Sequence, residues 1–308
     1  MRRVMLVTHA GRPEAIRIAR RMARALAASG IGVQVPEHEL APLQAGEDDV
    51  ASQALASGDE TLPCTGTDSA VSCELVIVIG GDGTILRAAQ YAVAESIPLL
   101  GVNLGHVGFL AEVESDDVEH LVSAVVDRSY RVEERLALKV NLLKGADLKW
   151  STWALNEASI EKASRKRMID VVLEIDDRPL SRWGCDGVVV SSPTGSTAYA
   201  WSSGGPVVWP AVQALVVAPI SAHALFARSL VVAPDSKVAV ELLPASPEGV
   251  IWCDGRRHHD LEPGSRVEIT RADDPLKFAR LHEARFTDRL VAKFGLPVEG
   301  WRGKRAFR

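Results

Sequence analysis

Leu75-Val76-Ile77-Val78-Ile79-Gly80-Gly81-Asp82-Gly83-Thr84 is the stretch on which the reading of this chain turns. A continuous apolar run, mostly β-branched, suits a strand buried on both faces of a parallel sheet. It runs into three glycines in four positions, which let the backbone turn sharply and approach a ligand closely. Ile85 to Ala92 then reads as a helix. Its first turn would aim free N–H groups and a partial positive charge at whatever rests on the loop. The pattern is a phosphate cradle with one carboxylate, Asp82, in its middle. Phosphoryl transfer asks a protein for positioning and charge neutralisation and little else. Asp82 can orient a hydroxyl and take its proton. On turn chemistry alone, a plain glycine-rich turn with Asp82 as a helix cap stays open.

Outward from this stretch the pattern stays α/β. Val4–Thr8 is a short apolar strand. Glu14–Ala28 is a helix with Ile16, Ala19, Met22, Ala23 and Leu26 at helical spacing, and 31–36 returns as a strand. This is a βαβ unit, so a parallel sheet has begun. The first strand lacks a following Gly-x-Gly-x-x-Gly, which disfavours a dehydrogenase-type dinucleotide site. Residues 37–70 are polar and read as a surface excursion, with their acidic run as a solvated loop. Ile97–Val102 is another buried strand. It leads into Asn103-Leu-Gly-His106, at the edge where open α/β sheets bind ligands. Asn103 and His106 are candidate ligand neighbours, and His106 reads equally well as a loop-holding residue. Asp116–Asp127 is a helix. From Tyr130 onward β-branched runs alternate with turns, so a second, mainly β domain begins near Arg131–Glu134.

The chain has 308 residues, enough for two cores, with 47% hydrophobic and 24% charged residues. A formal charge of −5 argues against a nucleic-acid partner. No apolar run reaches the ~20 residues of a membrane span. Cys64, Cys73, Cys185 and Cys253 form no zinc spacing. With an apolar start too short for a signal sequence, they read as reduced thiols, and a cytoplasmic setting is expected.

In the second half, Asn156 and Glu157 lie side by side in a strand-like segment. Adjacent strand residues face opposite sides, so both reach one ligand only if the strand bends or ends there. A water-facing edge pair is the alternative. Ser164-Arg165-Lys166-Arg167 is a basic tip, readable as a solvated hairpin or a phosphate contact. The segment from Gly184 to Pro206 sets two turns rich in glycine, serine and threonine around a short apolar strand. Small residues there permit close backbone approach, and Tyr199 offers a face to a planar base. Asp186 can accept hydrogen bonds from an amide or a ribose. Trp252–Gly255 reads as a hairpin turn.

Gly80–Thr84 resembles the signature of NAD kinases, shared with diacylglycerol and sphingosine kinases and, more distantly, phosphofructokinases. Asn103–Leu110, the Asn156-Glu157 pair and the Gly184–Pro206 segment resemble further NAD kinase motifs. The lipid kinases' Gly-Thr-Gly-Asn-Asp pattern is absent. The resemblance runs from about residue 77 to about residue 294. It implies an α/β N-terminal domain (1–131, with the 280–308 tail) carrying a parallel Rossmann-like sheet, and a mainly β, sandwich-like domain (132–279). The C-terminal segment is expected to pack back on the first domain.

The implied activity is phosphorylation of the 2′-hydroxyl of the adenosine ribose of NAD, giving NADP. ATP or polyphosphate is the donor, with Mg²⁺ or another divalent cation and no confident protein metal ligand. Asp82 is the base. Gly81, Gly83, Thr84 and Arg87 hold donor phosphates. Asp82, Gly83, Asn156, Glu157, Arg167, Asp186, Thr197, Ala198, Tyr199, Ala200, Trp201 and Ser202 bind NAD, with Arg256 a further contact. The resemblance also implies a homodimer or homotetramer. Two departures stand out. No family motif covers 37–70, and Trp183-Gly-Cys185 lacks the basic residue some members place there. A lipid kinase and a non-catalytic NAD(P)-sensing module remain as rivals.

Overall fold

Hydrophobic strands that pair in parallel need helices on their faces, and the first third of the chain alternates the two. In the computed structural model the described residues are 1–9, 11–45, 63–105, 108–111, 113–114, 118–281 and 285–298. The first part runs β1 (Arg3–Thr8), α1 (Pro13–Ala28), β2 (Gly32–Pro36), α2 (Glu37–Ala45), β3 (Cys64–Thr67), β4 (Leu75–Ile79), α3 (Asp82–Val93), β5 (Leu99–Asn103), β6 (Val113–Glu114), α4 (Val118–Asp127) and β7 (Arg131–Arg135). Next come β8 (Leu138–Lys144), β9 (Asp147–Ala154), β10 (Glu157–Lys162), β11 (Ile169–Ile175), β12 (Arg178–Cys185) and β13 (Gly187–Ser191). A 3-10 turn (Thr194–Thr197) and α5 (Tyr199–Ser202) precede β14 (Leu215–Ile220), β15 (Leu230–Val232), β16 (Val238–Leu242), β17 (Gly249–Cys253), β18 (Arg257–Leu261) and β19 (Ser265–Arg271). The chain ends through β20 (Leu276–Arg280) and α6 (Phe286–Phe294).

These elements form two compact units, Met1–Glu133 with Lys277–Arg308, and Glu134–Leu276. The first is built on an eight-stranded sheet in the order β3-β2-β1-β4-β5-β20-β7, with β6 paired to β5. Pairings from β3 across to β20 are parallel. All five residues of β4 are buried, as a strand covered on both faces requires. Sequence order reverses at the β1–β4 neighbourhood, the topological switch point at which open α/β sheets place ligands.

The second unit has two six-stranded sheets, β15-β14-β13-β10-β17-β18 and β12-β11-β16-β19-β8-β9, with the pairings described antiparallel throughout. One core joins them: Ile160, Val188 and Val190 from the first sheet pack with Val140, Val171 and the fully buried Trp183 from the second. That shared core makes the unit a β-sandwich.

The 37–70 stretch departs from its reading as a surface excursion. Residues 37–45 are helix α2, despite Pro42 inside it, and Cys64–Thr67 extend the parallel sheet beside β2. Polar composition hid both. The stretch 46–62, with its acidic run, lies outside the described residues, as does His106.

Candidate functional site

In the first unit the glycine loop leaves β4 at the switch point. Gly80 sits at φ +153, and a Cβ there would lie 2.5 Å from Thr84 Oγ1, so the local fold itself demands glycine. Gly81 and Gly83 are different. Neither has a positive φ, and a Cβ at either would meet nothing within 4 Å. Gly83 stands in the first turn of α3, where glycine costs about 1 kcal/mol relative to alanine. The protein's own packing gives no reason for it, whereas a ligand lying against the backbone does. Thr84 and Ile85 donate their N–H groups to the Gly81 carbonyl. The N–H groups of Asp82 and Gly83 precede these first intrahelical bonds and face outward from the helix start.

Asp82 is half-buried. Phe109 N donates to Oδ2 at 3.0 Å and Leu110 N to Oδ1 at 3.1 Å. The carboxylate is thereby fixed against the 108–110 loop, and each oxygen keeps lone-pair capacity for a further donor. Gly108 makes this approach possible, because a Cβ there would stand 2.5 Å from Oδ1. Arg87, one turn on, reaches back to β1. Its Nη2 lies 2.7 Å from Glu39 Oε1 and donates to the Thr8 carbonyl, while Nη1 is 3.3 Å from His38 Nε2. Glu39 is fully buried and accepts the Thr8 N–H at 2.7 Å. Sequence reading missed Glu39 because it lay in a stretch read as loop.

In the second unit the strand ends at the adjacent Asn156-Glu157 pair. β9 stops at Ala154 and β10 starts at Glu157. The freed N–H groups of Leu155 and Asn156 go to the two carboxylate oxygens of buried Asp254, at 3.0 and 2.7 Å. Asp254 and Gly255 form the β17–β18 turn with φ +53 and +61, and Arg256 N closes it onto the Cys253 carbonyl at 3.0 Å. These are the dihedrals that make Asp-Gly a hairpin signal. Arg257 Nη2 sits 2.8 Å from both Asp254 Oδ2 and the Trp153 carbonyl, and its guanidinium stacks 4.0 Å from the Trp153 ring centroid. Asp254 and Arg257 were missed as supports. The Asp-Gly turn was legible, but not what its side chain holds.

The glycine-rich turn packs directly on this break. Ser192 N donates to the Asn156 carbonyl at 2.9 Å, and a Cβ on Gly195 would fall 2.0 Å from that same oxygen. Glu157 is buried. Its Oε2 has no hydrogen-bond partner. Burial, and then the neighbouring Asp254 charge, push its pKa up to about 8. Burial also raises the Tyr199 pKa, with further contributions from Glu161, Glu157 and Asp186. Asp186 is ion-paired with Lys162. Thr197, Ala198 and Tyr199 are half-buried, Ala200 is buried, and Trp201 and Ser202 are exposed. Asn156, Glu157 and the 192–195 turn thus gather at one end of the β10–β13 ladder, whereas Asp186 stands at the other end, beside Lys162. Arg167 is exposed at the β10–β11 turn, and Arg256 is exposed at its own turn. His223 pairs with Gly184 through its backbone while its side chain is exposed. All four cysteines are free thiols. Among the described residues no three His, Cys, Asp or Glu side chains gather as a metal site, and no helix is long and apolar enough to cross a membrane.

Family models match both parts of the chain. The ATP-NAD kinase N-terminal domain covers residues 4–130 and the ATP-NAD kinase C-terminal domain residues 155–281. The chain is 54% identical over 303 residues to NAD kinase 2 of Streptomyces coelicolor, spanning 98% of this chain and 97% of that relative. Its fold is similar to yeast NADH kinase complexed with NADH (TM-score 0.86, 21% identity, 99% of this chain and 90% of the other). It is also similar to an NAD kinase from Archaeoglobus fulgidus in complex with ATP (TM-score 0.70, 24% identity, 96% and 100%).

Proposed function

The chain belongs to the ATP-NAD kinase family and is an NAD kinase, and from that premise we propose how its residues divide the work. The first unit receives the phosphoryl donor, ATP, with polyphosphate as a possible substitute. Its phosphates rest on the outward N–H groups of Asp82 and Gly83 at the start of α3, where the helix end favours anions. The observation that carries this reading is the pair of glycines, Gly81 and Gly83, that the fold does not need. Thr84 is buried against Gly80, so its part is to shape the loop. Arg87 adds positive charge, tempered by its ion pair with Glu39.

Asp82 accepts the proton of the 2′-hydroxyl of the adenosine ribose as the phosphoryl group transfers, giving NADP. Two backbone donors fix its carboxylate without using up its lone pairs. In the second unit Asn156 and Glu157 hold the ribose and its neighbouring groups. Glu157 Oε2, buried and unpartnered, is a polar atom that a ligand hydroxyl can pair with as donor or acceptor. Asp186, Thr197, Ala198 and Tyr199 line the dinucleotide, with Ala200, Trp201, Ser202, Arg167 and Arg256 at its margin. A divalent cation, Mg²⁺ by preference, would supply charge neutralisation for the donor phosphates, as kinases commonly use it through substrate oxygens with one or two carboxylates. The assembly is a homodimer or homotetramer working in the cytoplasm.

The test is NADP formation from NAD and ATP, measured beside NAD binding. Asp82→Asn should keep NAD affinity and lose activity by at least about 10²-fold. Retained turnover would remove Asp82 from the chemistry.

A further inference from the structure

One of the two peptide groups that hold Asp82 is itself held from behind. The N–H of Leu110, bonded to Asp82 Oδ1, belongs to the same peptide group as the Phe109 carbonyl. That carbonyl accepts a hydrogen bond from Arg289 Nη1 at 2.7 Å. The next carbonyl, of Leu110, accepts from Arg280 Nη1 at 3.0 Å, and Arg280 Nε is fixed by Glu133 at 2.7 Å. A guanidinium, a peptide group and a carboxylate are therefore joined in one hydrogen-bonded chain. A cation on the carbonyl polarises the peptide and strengthens the N–H bond at its other end.

Arg289 lies on α6, which buries none of its residues. The helix is seated by two ring contacts to Phe109, from Phe286 at 5.8 Å and Phe294 at 6.0 Å between centroids. Tilted aromatic pairs of this kind are a favoured packing geometry. Both the rings and the guanidinium of α6 thus converge on one loop residue, the one whose backbone carries Asp82. Gly108 adds the steric side of the same arrangement, since it lets the loop and carboxylate meet.

We infer that α6 is part of the catalytic apparatus, with Arg289 a positioning residue that sets Asp82 through the Phe109–Leu110 peptide group. The inference rests on the reading of Asp82 as the proton acceptor. Arg289 touches no substrate in this scheme. Its loss loosens the carboxylate and leaves the donor and NAD contacts alone. The expected signature is a fall in kcat at constant KM, which general loosening of the fold would not produce.

The experiment compares full-length wild type, Arg289→Met, Arg289→Lys and Asp82→Asn for kcat, for KM of NAD and of ATP, and for Tm. Arg289→Met should lose roughly 10- to 100-fold in kcat, the range expected for a reacting group displaced by about 1 Å. Both KM values should stay within about twofold, and Arg289→Lys, which keeps a cation and a donor, should recover most of the loss. If Arg289→Met fails to fold, Phe294→Ala, which removes one of the two ring contacts, must still lower kcat without moving KM. Wild-type kcat in Arg289→Met, with Asp82→Asn inactive, overturns the inference. So does an equal loss in the Met and Lys variants with both KM values raised. If Asp82→Asn is itself fully active, the failure belongs to the underlying reading of Asp82 instead.

Discussion

Two carboxylates, Asp82 and Glu157, are held in opposite ways. Asp82 is half-buried and receives two backbone N–H groups, one on each oxygen. Glu157 is buried, keeps Oε2 unpartnered, and has its pKa pushed up to about 8. The first arrangement suits a group that must be aimed. The second suits a group that waits for a ligand partner, because an unsatisfied buried polar atom costs roughly 1–3 kcal/mol until it is paired. In the proposed division of work, binding and proton transfer fall to these two differently prepared acids, each within its own unit.

The difference can be broken most sharply at the glycines that permit each arrangement. Gly195→Val would drive a side chain into the Asn156 carbonyl, where even a Cβ falls at 2.0 Å from the oxygen. NAD affinity measured by calorimetry should drop by about 10²-fold or more, with a lower Tm. Gly108→Ala should act on the other side. Its Cβ would stand 2.5 Å from Asp82 Oδ1, so kcat should fall about 10- to 100-fold while NAD affinity is kept. If either glycine variant shows the other's signature, the division of labour fails.

A gentler probe is Glu157→Gln. With the folded pKa near 8 and the ordinary value 4.5, the native state holds a proton that the unfolded chain has lost between these pH values. Stability from this group is therefore fully present below about pH 4.5 and drains away as pH rises to 8. Glutamine, neutral throughout, should flatten that part of the stability–pH curve. Thermal melts from pH 5 to 9 should show Glu157→Gln gaining on wild type by roughly 2–4 °C per kcal/mol released. A constant gap between the two curves would deny the raised pKa. The smallest effect belongs to Arg256→Ala. Arg256 is exposed beside the Asp254-Gly255 turn, and its loss should raise KM for NAD by about twofold, while Asp254→Asn should cost more.

Much of this was legible in the sequence wherever the signal was local. The Leu75–Thr84 run announces strand, turn and helix by its own residues, and Asp254-Gly255 announces its hairpin. Contacts between distant segments were not legible. Arg289 meets the Phe109 carbonyl across 180 positions, and Asp254 meets Leu155 across 99. No periodicity records either pair. Glu39 was hidden for another reason: a buried acid in a polar stretch looks like a solvated one until Arg87 is placed beside it. The Asn156-Glu157 pair lies between these cases. Sequence showed that the strand must bend or end for both to serve one ligand, and the structure shows it ending.

The measurement closest to the central claim is a crystal structure of Asp82→Asn with NAD bound. The 2′-oxygen of the adenosine ribose should lie about 2.6–3.2 Å from the side chain at position 82, the reach of a direct proton transfer. A 2′-oxygen several ångströms further away, or hydrogen-bonded to another acid, would contradict it.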